Sequence, residues 1–124
     1  MIQALVVDDV RQTADSLCQM LSLLDIAARP AYGAKPALLA LNEMVPDVVF
    51  LDVNMPGLGG FEVLTYMRRE PRLYRVPVVV VTSDDQPETA EKMLEAGAAQ
   101  VLIKPASFET IEGALQATGL IAGP

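Results

Sequence analysis

Short apolar runs alternate along this chain with segments of helical periodicity. Four of the runs are rich in valine and are followed by a polar residue, and they cover residues 2–7, 48–51, 77–81 and 101–103. Runs of this length and composition are typical of strands buried on both faces of a sheet. A weaker fifth strand is predicted over residues 26–31, and we expect it at a sheet edge because Pro30 cannot donate to a strand ladder.

Helices are predicted between and after these strands. Their apolar positions follow the i, i+3, i+4 spacing of one buried face, and they cover residues 13–24, 34–43, 60–69, 86–96 and 107–119. Asp84 or Asp85 can cap the fourth helix, and Pro87 suits its first turn. Gly97 suits the position just after its end. The fifth helix begins at Ser107, a good N-cap residue, but it is short and contains a glycine, so we expect it to be weak.

The alternation of strands and helices predicts an α/β fold. Its sheet should be mostly parallel and doubly wound, with right-handed crossovers and helices on both faces. A chain of 124 residues suits one domain, which we place over residues 1–120. Residues 121–124 are then a tail, from which a longer protein could continue.

Composition narrows the classes of function. The net charge is −7, so we expect no direct binding to nucleic acid or to an anionic membrane. The chain has no histidine, which excludes a phosphohistidine donor, a histidine-based hydrolase and a His-ligated zinc site. With Cys18 as its single cysteine the chain can form no internal disulfide, which fits a cytoplasmic, reducing compartment. Cys18 lies on an apolar helix face, which predicts a buried, unreactive thiol. No apolar run reaches the roughly 18 residues of a membrane span.

Polar residues follow the predicted strands at one place in the fold. Asp8 and Asp9 follow the first strand and Asp52 the third, while Thr82 and Lys104 follow the fourth and fifth. The carboxyl ends of parallel strands share one edge of the sheet, and ligands of such folds bind at that edge. We therefore expect all five side chains to lie in one site.

Three carboxylates in one site repel each other and require positive charge. Two unit charges ~5 Å apart repel by roughly 3 kcal/mol at an effective dielectric of 20. Lys104 supplies one positive charge, and Mg²⁺, which prefers oxygen ligands, is the metal that best fits this set. Together with the Thr82 hydroxyl these groups describe a phosphoryl-binding site. Asp52 is the best candidate for a carboxylate nucleophile, because it stands alone at the end of a central strand.

These residues resemble the receiver domains of two-component response regulators. The motifs that carry the resemblance are Asp8-Asp9, residues 48–57, Thr82-Ser83 and Lys104-Pro105, and the similarity extends from residue 2 to about residue 118. The resemblance implies the CheY-like, flavodoxin-like fold: a five-stranded parallel sheet of order 2-1-3-4-5. It also implies a cis peptide bond between Lys104 and Pro105.

The resemblance also implies a mechanism. A histidine kinase or a histidine phosphotransfer protein would donate a phosphoryl group to Asp52, and Lys104 and Thr82 would each bind a phosphoryl oxygen. The implied Mg²⁺ ligands are Asp8, Asp9, Asp52 and the backbone carbonyl of Asn54. Movement of Thr82 would then remodel the surface of the fourth helix, fifth strand and fifth helix, through which a homodimer could also form. The domain itself would be a signalling module that catalyses only its own phosphorylation and dephosphorylation.

Three positions depart from the pattern of receiver domains. Val101 stands where a switching aromatic residue is usual, Ala106 replaces a common aromatic residue, and Gly59 stands where an aspartate is common. These departures concern the output surface more than the phosphorylation site. They leave open a receiver-like interaction or dimerisation module that acts without phosphorylation.

Two other functions are less favoured by the sequence. A small aspartate-nucleophile phosphatase of the haloacid-dehalogenase type would have Asp-x-Asp near its N-terminus, whereas this chain has Asp52-Val53-Asn54 at its middle. A flavodoxin would need a hydroxyl-rich loop after the first strand, where two aspartates would repel the flavin phosphate.

A basic cluster lies near the end of the third predicted helix. Its members are Arg68, Arg69, Arg72 and Arg75. We interpret it as a solvated helix end favoured by the helix dipole, with partner docking as the alternative.

Overall fold

A computed structural model describes residues 1–55 and 59–123. The five strands are β1 (Gln3–Val7), β2 (Ala27–Ala31), β3 (Val48–Leu51), β4 (Val78–Thr82) and β5 (Gln100–Ile103). The helices within the described residues are α1 (Arg11–Ser22), α2 (Ala34–Glu43), α3 (Gly60–Arg69), α4 (Pro87–Glu95) and α5 (Phe108–Ala117). Every predicted element is present, and the bounds differ from the prediction by one or two residues at most ends.

The strands form one parallel sheet of order β2-β1-β3-β4-β5. This order confirms the flavodoxin-like fold. It also confirms the position of β2, whose Pro30 lies in an edge strand with β1 as its neighbour. The missing N–H of Pro30 is tolerated there because one side of an edge strand has no ladder to complete.

Each central strand contributes side chains to two cores, one on each face of the sheet. In β3, Val48 and Phe50 belong to the core that α1 and α5 cover. Val49 and Leu51 belong to the core that α2, α3 and α4 cover. This follows from the two-residue period of a strand, and it explains why β3 has no polar residue.

The predicted helix ends are partly right. Pro87 is the first residue of α4, Gly97 follows the helix with φ +109°, and the Ser107 hydroxyl accepts the N–H of Thr110 at 3.2 Å. The cap predicted at Asp84 or Asp85 is wrong, because the N-cap position of α4 is Gln86. The fifth helix is stronger than predicted, since its ten residues bury an apolar face of Ile111, Ala114 and Leu115.

Two arginines of the basic cluster have structural contacts that the prediction of a solvated helix end did not include. The Arg68 guanidinium donates to the carbonyl of Gly97 through Nε (3.1 Å) and Nη2 (2.9 Å), and to the carbonyl of Tyr74 at 3.2 Å. Arg72 donates to the carbonyl of Leu41 at 2.9 Å. These bonds tie α3 and the loop that follows it to the C-terminal ends of α4 and α2.

The remaining expectations concern Cys18, the tail and the membrane. Cys18 is half-buried, and burial together with the charge of Asp15 raises the pKa of its thiol to about 11, consistent with an unreactive thiol. Leu120 and Ile121 are partly buried against the core that α1 and α5 cover, so the start of the predicted tail contacts the domain. None of the described helices is long and apolar enough to cross a bilayer.

Candidate functional site

The carboxyl ends of the strands bring the predicted site residues to one edge of the sheet. Backbone hydrogen bonds that continue the ladders past the strand ends fix several of them. The N–H of Asp8 donates to Ala31, that of Asp52 to Val7 at 2.9 Å, and that of Lys104 to Thr82 at 2.8 Å. The positions of these side chains are therefore determined by the sheet and not by flexible loops.

Asp8, Asp9 and Asp52 form an acidic cluster. One carboxylate oxygen from each lies within 4.8 Å of the others. Asp8 and Asp52 are buried, with 4% and 5% of their surface exposed, whereas Asp9 faces solvent. Charges this close and this poorly solvated repel strongly, so the cluster needs compensating positive charge.

Lys104 supplies part of that charge. Its Nζ donates to Oδ2 of Asp8 at 2.8 Å and lies 3.6 Å from Oδ2 of Asp52. Burial alone would lower the pKa of Lys104, but the hydrogen bond to Asp8 and the charges of Asp52 and Asp8 outweigh it, so the pKa is raised. Lys104 is therefore a fixed cation between two carboxylates. The peptide bond that follows it, to Pro105, is cis, as the resemblance implied.

Asp52 has the electrostatic environment of a poised carboxylate. Burial is the main cause that raises its pKa, and the charges of Asp8 and Asp9 act in the same direction. The N–H of Asn54, which donates to Oδ1 at 3.0 Å, and the charge of Lys104 lower it only in part. Positive charge added at this site would therefore favour the ionised form of Asp52 and lower its pKa.

Thr82 is the last residue of β4, and it is completely buried. Its hydroxyl oxygen accepts two hydrogen bonds, from the side-chain amide of Asn54 at 3.1 Å and from the backbone N–H of Asp84 at 3.1 Å. The sequence prediction assigned Asn54 only a backbone carbonyl. The side-chain contact to Thr82 was missed, since 28 residues separate the two and no local motif relates them.

Gly60, the first residue of α3, is a second residue that the prediction missed. A Cβ at this position would overlap the backbone carbonyl of Asp52 and would lie 2.7 Å from Cα of Val53. Only glycine lets α3 begin this close to the backbone of the proposed acceptor. Residues 56 and 57 of the motif at residues 48–57 lie outside the described residues.

A cavity of about 500 Å³ flanks Lys104 on the side of α1. Its lining includes Gln12, Ser16 and Met20 from α1, together with Lys104 and Ala106. The small side chain of Ala106 forms part of the cavity wall next to Lys104. Val101 lies on the other side, half-buried in β5 against the core that α2, α3 and α4 cover.

The donor set of the acidic cluster fits Mg²⁺. It offers carboxylate oxygens, no imidazole and no thiolate, which suits a hard cation that retains several waters. The pKa of Asp52 is raised mainly by burial and further by the charges of Asp8 and Asp9, and a bound cation would favour its ionised form.

Comparison with known proteins identifies the family. A family model described as "Response regulator receiver domain" matches residues 4–116. The chain is 34% identical to the response regulator GacA of Pseudomonas aeruginosa, with 94% of this chain and 54% of GacA covered. It is also 34% identical to the response regulator PleD of Caulobacter vibrioides, with 82% of this chain and 22% of PleD covered. The chain thus spans about half of the one and about a fifth of the other.

The fold comparison agrees. The structure of the chemotaxis protein CheY4 of Vibrio cholerae matches with a TM-score of 0.89 and 28% identity, covering 95% of this chain and 98% of CheY4. Strand order, acidic cluster and sequence similarity lead to the same family. The chain belongs to the receiver domains of response regulators, the CheY-like signalling modules of two-component systems.

Proposed function

We propose that this chain is a phospho-accepting switch in which Asp52 receives a phosphoryl group from a phosphohistidine. The observation that carries the proposal is the pairing of a buried carboxylate, Asp52, with a fixed cation, Lys104, 3.6 Å away. Receiver domains of two-component systems have histidine kinases or histidine phosphotransfer proteins as partners, and this chain contains no histidine of its own to donate.

In the proposed reaction an oxygen of Asp52 attacks the phosphorus atom in line with the leaving imidazole. The new O–P bond forms as the N–P bond breaks, and the electron pair of that bond remains on the imidazole nitrogen. Lys104 favours the ionised form of Asp52 before the attack, and it lies close enough to pair with a phosphoryl oxygen afterwards. The remaining contribution is positioning, which the strand ladder provides.

Asp8, Asp9, Asp52 and the backbone carbonyl of Asn54 are the groups that would hold Mg²⁺. When bound, the ion would supply positive charge to the carboxylates and to the phosphoryl oxygens. Lys104 already donates to Oδ2 of Asp8 and the N–H of Val10 donates to Oδ1, so Asp8 would contribute through the remaining lone pair of Oδ1 or through water.

Thr82 would respond to phosphorylation of Asp52 by forming a hydrogen bond to the phosphoryl group. To donate its O–H to a phosphoryl oxygen, the Thr82 side chain would move toward Asp52, and we propose that this movement breaks the hydrogen bonds that its oxygen accepts from Asn54 and Asp84. Each such bond stabilises by about 1 kcal/mol, and a new bond to an ionised oxygen is roughly twice as strong. The difference between the two states is therefore small, as a two-state switch requires. Asp84 leads directly into α4, so its release would change the start of that helix.

The surface of α4, β5 and α5 is the proposed output. Leu94 on α4 and Ile103 at the end of β5 are 49% and 45% exposed, which makes part of this surface apolar. A homodimer through it is one proposed consequence of phosphorylation. Because Val101 has no ring to rotate, we propose that Thr82 and Asp84 transmit the change without an aromatic partner.

Several finer assignments belong to the same proposal. We place the domain at residues 1–120 and the tail at 121–124, and we place the protein in the cytoplasm, where two-component partners reside. The acidic net charge of −7 opposes direct binding to nucleic acid or an anionic membrane.

One alternative function has an observation in its favour. A receiver-like module that acts without phosphorylation would need its exposed α4–β5 surface but not its acidic cluster, and Val101 is compatible with that role. An aspartate-nucleophile phosphatase is less favoured, because Asn54 offers no second carboxylate to protonate a leaving group.

The decisive experiment is phosphorylation by a small-molecule donor. The protein is incubated with acetyl phosphate or phosphoramidate, with and without Mg²⁺, and its intact mass is recorded. We expect one phosphoryl adduct that requires Mg²⁺ and is lost in Asp52→Asn. Asp25→Asn is a matched control, since Asp25 is exposed and its φ of 60° suits asparagine. A folded protein that gives no adduct with either donor would favour the phosphorylation-independent module.

A further inference from the structure

A groove lies at the edge of the sheet opposite the acidic cluster. It lies beside the residues that lead into β3 and β4, it has a volume of about 380 Å³, and we call it the basic groove. Its principal lining residues are Val45, Pro46, Arg72, Tyr74, Arg75 and Pro77. The proposed function makes no use of any of them.

The lining is unusual for a chain of this charge. Four of the nine basic residues fall within residues 68–75, although the chain as a whole carries −7. Arg72 and Arg75, which line the groove, form no ion pair with any residue that the structure describes. The one acidic residue of the lining is Asp47, and its carboxylate accepts the backbone N–H of Gln3 at 2.7 Å.

Apolar surface accompanies this positive charge. Tyr74 is 61% exposed and Val45 is 51% exposed, and both line the groove. An exposed aromatic ring beside arginine is the composition found at the energetic centres of protein interfaces, whereas a merely solvated helix end would need neither Tyr74 nor Val45.

The segment that displays these side chains is fixed. Leu73 and Val76 are buried, so they anchor the loop on either side of Tyr74. Arg68 holds the carbonyl of Tyr74, and Arg72 is itself held by the carbonyl of Leu41. Prolines in the walls add stiffness. A surface that is already ordered loses little conformational entropy when a partner binds.

We propose that the basic groove binds an acidic peptide segment of a partner protein, with an apolar side chain against Tyr74 and Val45 and carboxylates on Arg72 and Arg75. The charge distribution favours a short segment over a long polyanion. The acidic cluster is about 17 Å away along β3 at ~3.3 Å per residue, which exceeds the Debye length of about 8 Å at physiological salt. A short segment therefore experiences the arginines, whereas nucleic acid or a membrane would also meet the acidic remainder.

An unbiased peptide selection tests this proposal. A phage library of random dodecapeptides is selected on the intact protein and, in parallel, on the double variant Tyr74→Ala/Arg75→Glu. We expect the intact protein to enrich peptides that combine Asp or Glu with an aromatic or aliphatic residue. Recovery on the double variant should be at least about 10-fold lower, the effect of losing one central interface contact of ~1.4 kcal/mol. Recovery should also fall at high salt.

Arg69→Glu is the matched control. It makes the same change of charge in the same segment, but Arg69 does not line the groove. Recovery on this variant should stay within about 2-fold of the intact protein, as for a surface change outside the contact. Thermal unfolding of each variant checks that it is folded. The proposal is overturned if the selected peptides have no acidic excess, if the double variant retains them, or if Arg69→Glu removes them equally.

Discussion

The centre of the sheet and its β5 edge differ in how much of their surface is buried in the core. On the acceptor side, all four residues of β3 are buried, and α3 buries four residues. On the output side, β5 has no fully buried residue and α4 buries only Met93. Asp52, the proposed acceptor, thus follows a strand that is buried along its whole length, whereas Lys104 follows the less buried β5. The elements proposed to move are those whose movement disrupts fewer contacts.

A matched pair of leucine truncations should give the largest difference between the two sides. Leu64 on α3 is completely buried, whereas Leu94 on α4 is 49% exposed. We expect Leu64→Ala to lower the free energy of unfolding by about 2–5 kcal/mol, because it leaves a cavity in the core. Leu94→Ala should change it by less than about 0.5 kcal/mol. Urea denaturation measures both, and equal losses would contradict the comparison.

Enlarging a valine should separate the two sides in the same order as truncating a leucine. Val49 in β3 is completely buried, whereas Val101 in β5 is only partly buried. Overpacking a closed core by Val49→Phe should destabilise the protein by about 1–3 kcal/mol. Val101→Phe can direct its ring toward solvent, so we expect a smaller loss in the same urea measurement. A larger loss for Val101→Phe would mean that β5 is as tightly packed as β3.

These elements show why the fold was predictable and part of the site was not. Runs such as the four valines of β4 specify a buried strand by their own composition, and the residue after each strand is then placed at one edge. The edge position of β2 followed from a single proline. The sequence was therefore enough to predict that Asp8, Asp52, Thr82 and Lys104 lie in one site.

The sequence did not predict contacts between residues that are far apart in the chain. Nothing in the order of residues pairs the Asn54 amide with the Thr82 hydroxyl, or Arg68 with the carbonyl of Gly97. The close approach at Gly60 likewise depends on how α3 packs on the backbone of Asp52. Such contacts are determined by the packing of elements and not by local pattern or propensity.

Magnesium should stabilise the acceptor side and leave the output side unchanged. An ion at ten times its dissociation constant adds about 1.4 kcal/mol to the free energy of unfolding. We expect Mg²⁺ to raise the midpoint of thermal unfolding, and EDTA to reverse the effect. Asp9→Asn should weaken the response, whereas Asp85→Asn, an exposed aspartate before α4, should not. Equal responses in the two variants would argue against the acidic cluster as the metal site.

Two aspartates, one on each side, should respond to pH with opposite signs. Burial raises the pKa of Asp52 above its ordinary value of 3.8. Hydrogen bonds from the Thr89 hydroxyl and from the N–H of Gln86 lower the pKa of Asp84, which precedes α4. A raised pKa means that the folded state loses stability as the pH rises through it, and a lowered pKa means the reverse.

In metal-free buffer at pH 7 we therefore expect Asp52→Asn to be more stable than the unmodified protein and Asp84→Asn to be less stable. The advantage of Asp52→Asn should disappear as the pH falls below 3.8, where the Asp52 carboxyl is protonated in the unfolded chain as well. The deficit of Asp84→Asn should shrink below 3.8, as the Asp84 carboxyl becomes protonated in the folded state. Urea denaturation across this pH range measures both differences. If both variants change stability in the same direction at pH 7, the acceptor side does not carry the electrostatic strain that would favour metal and phosphoryl binding there.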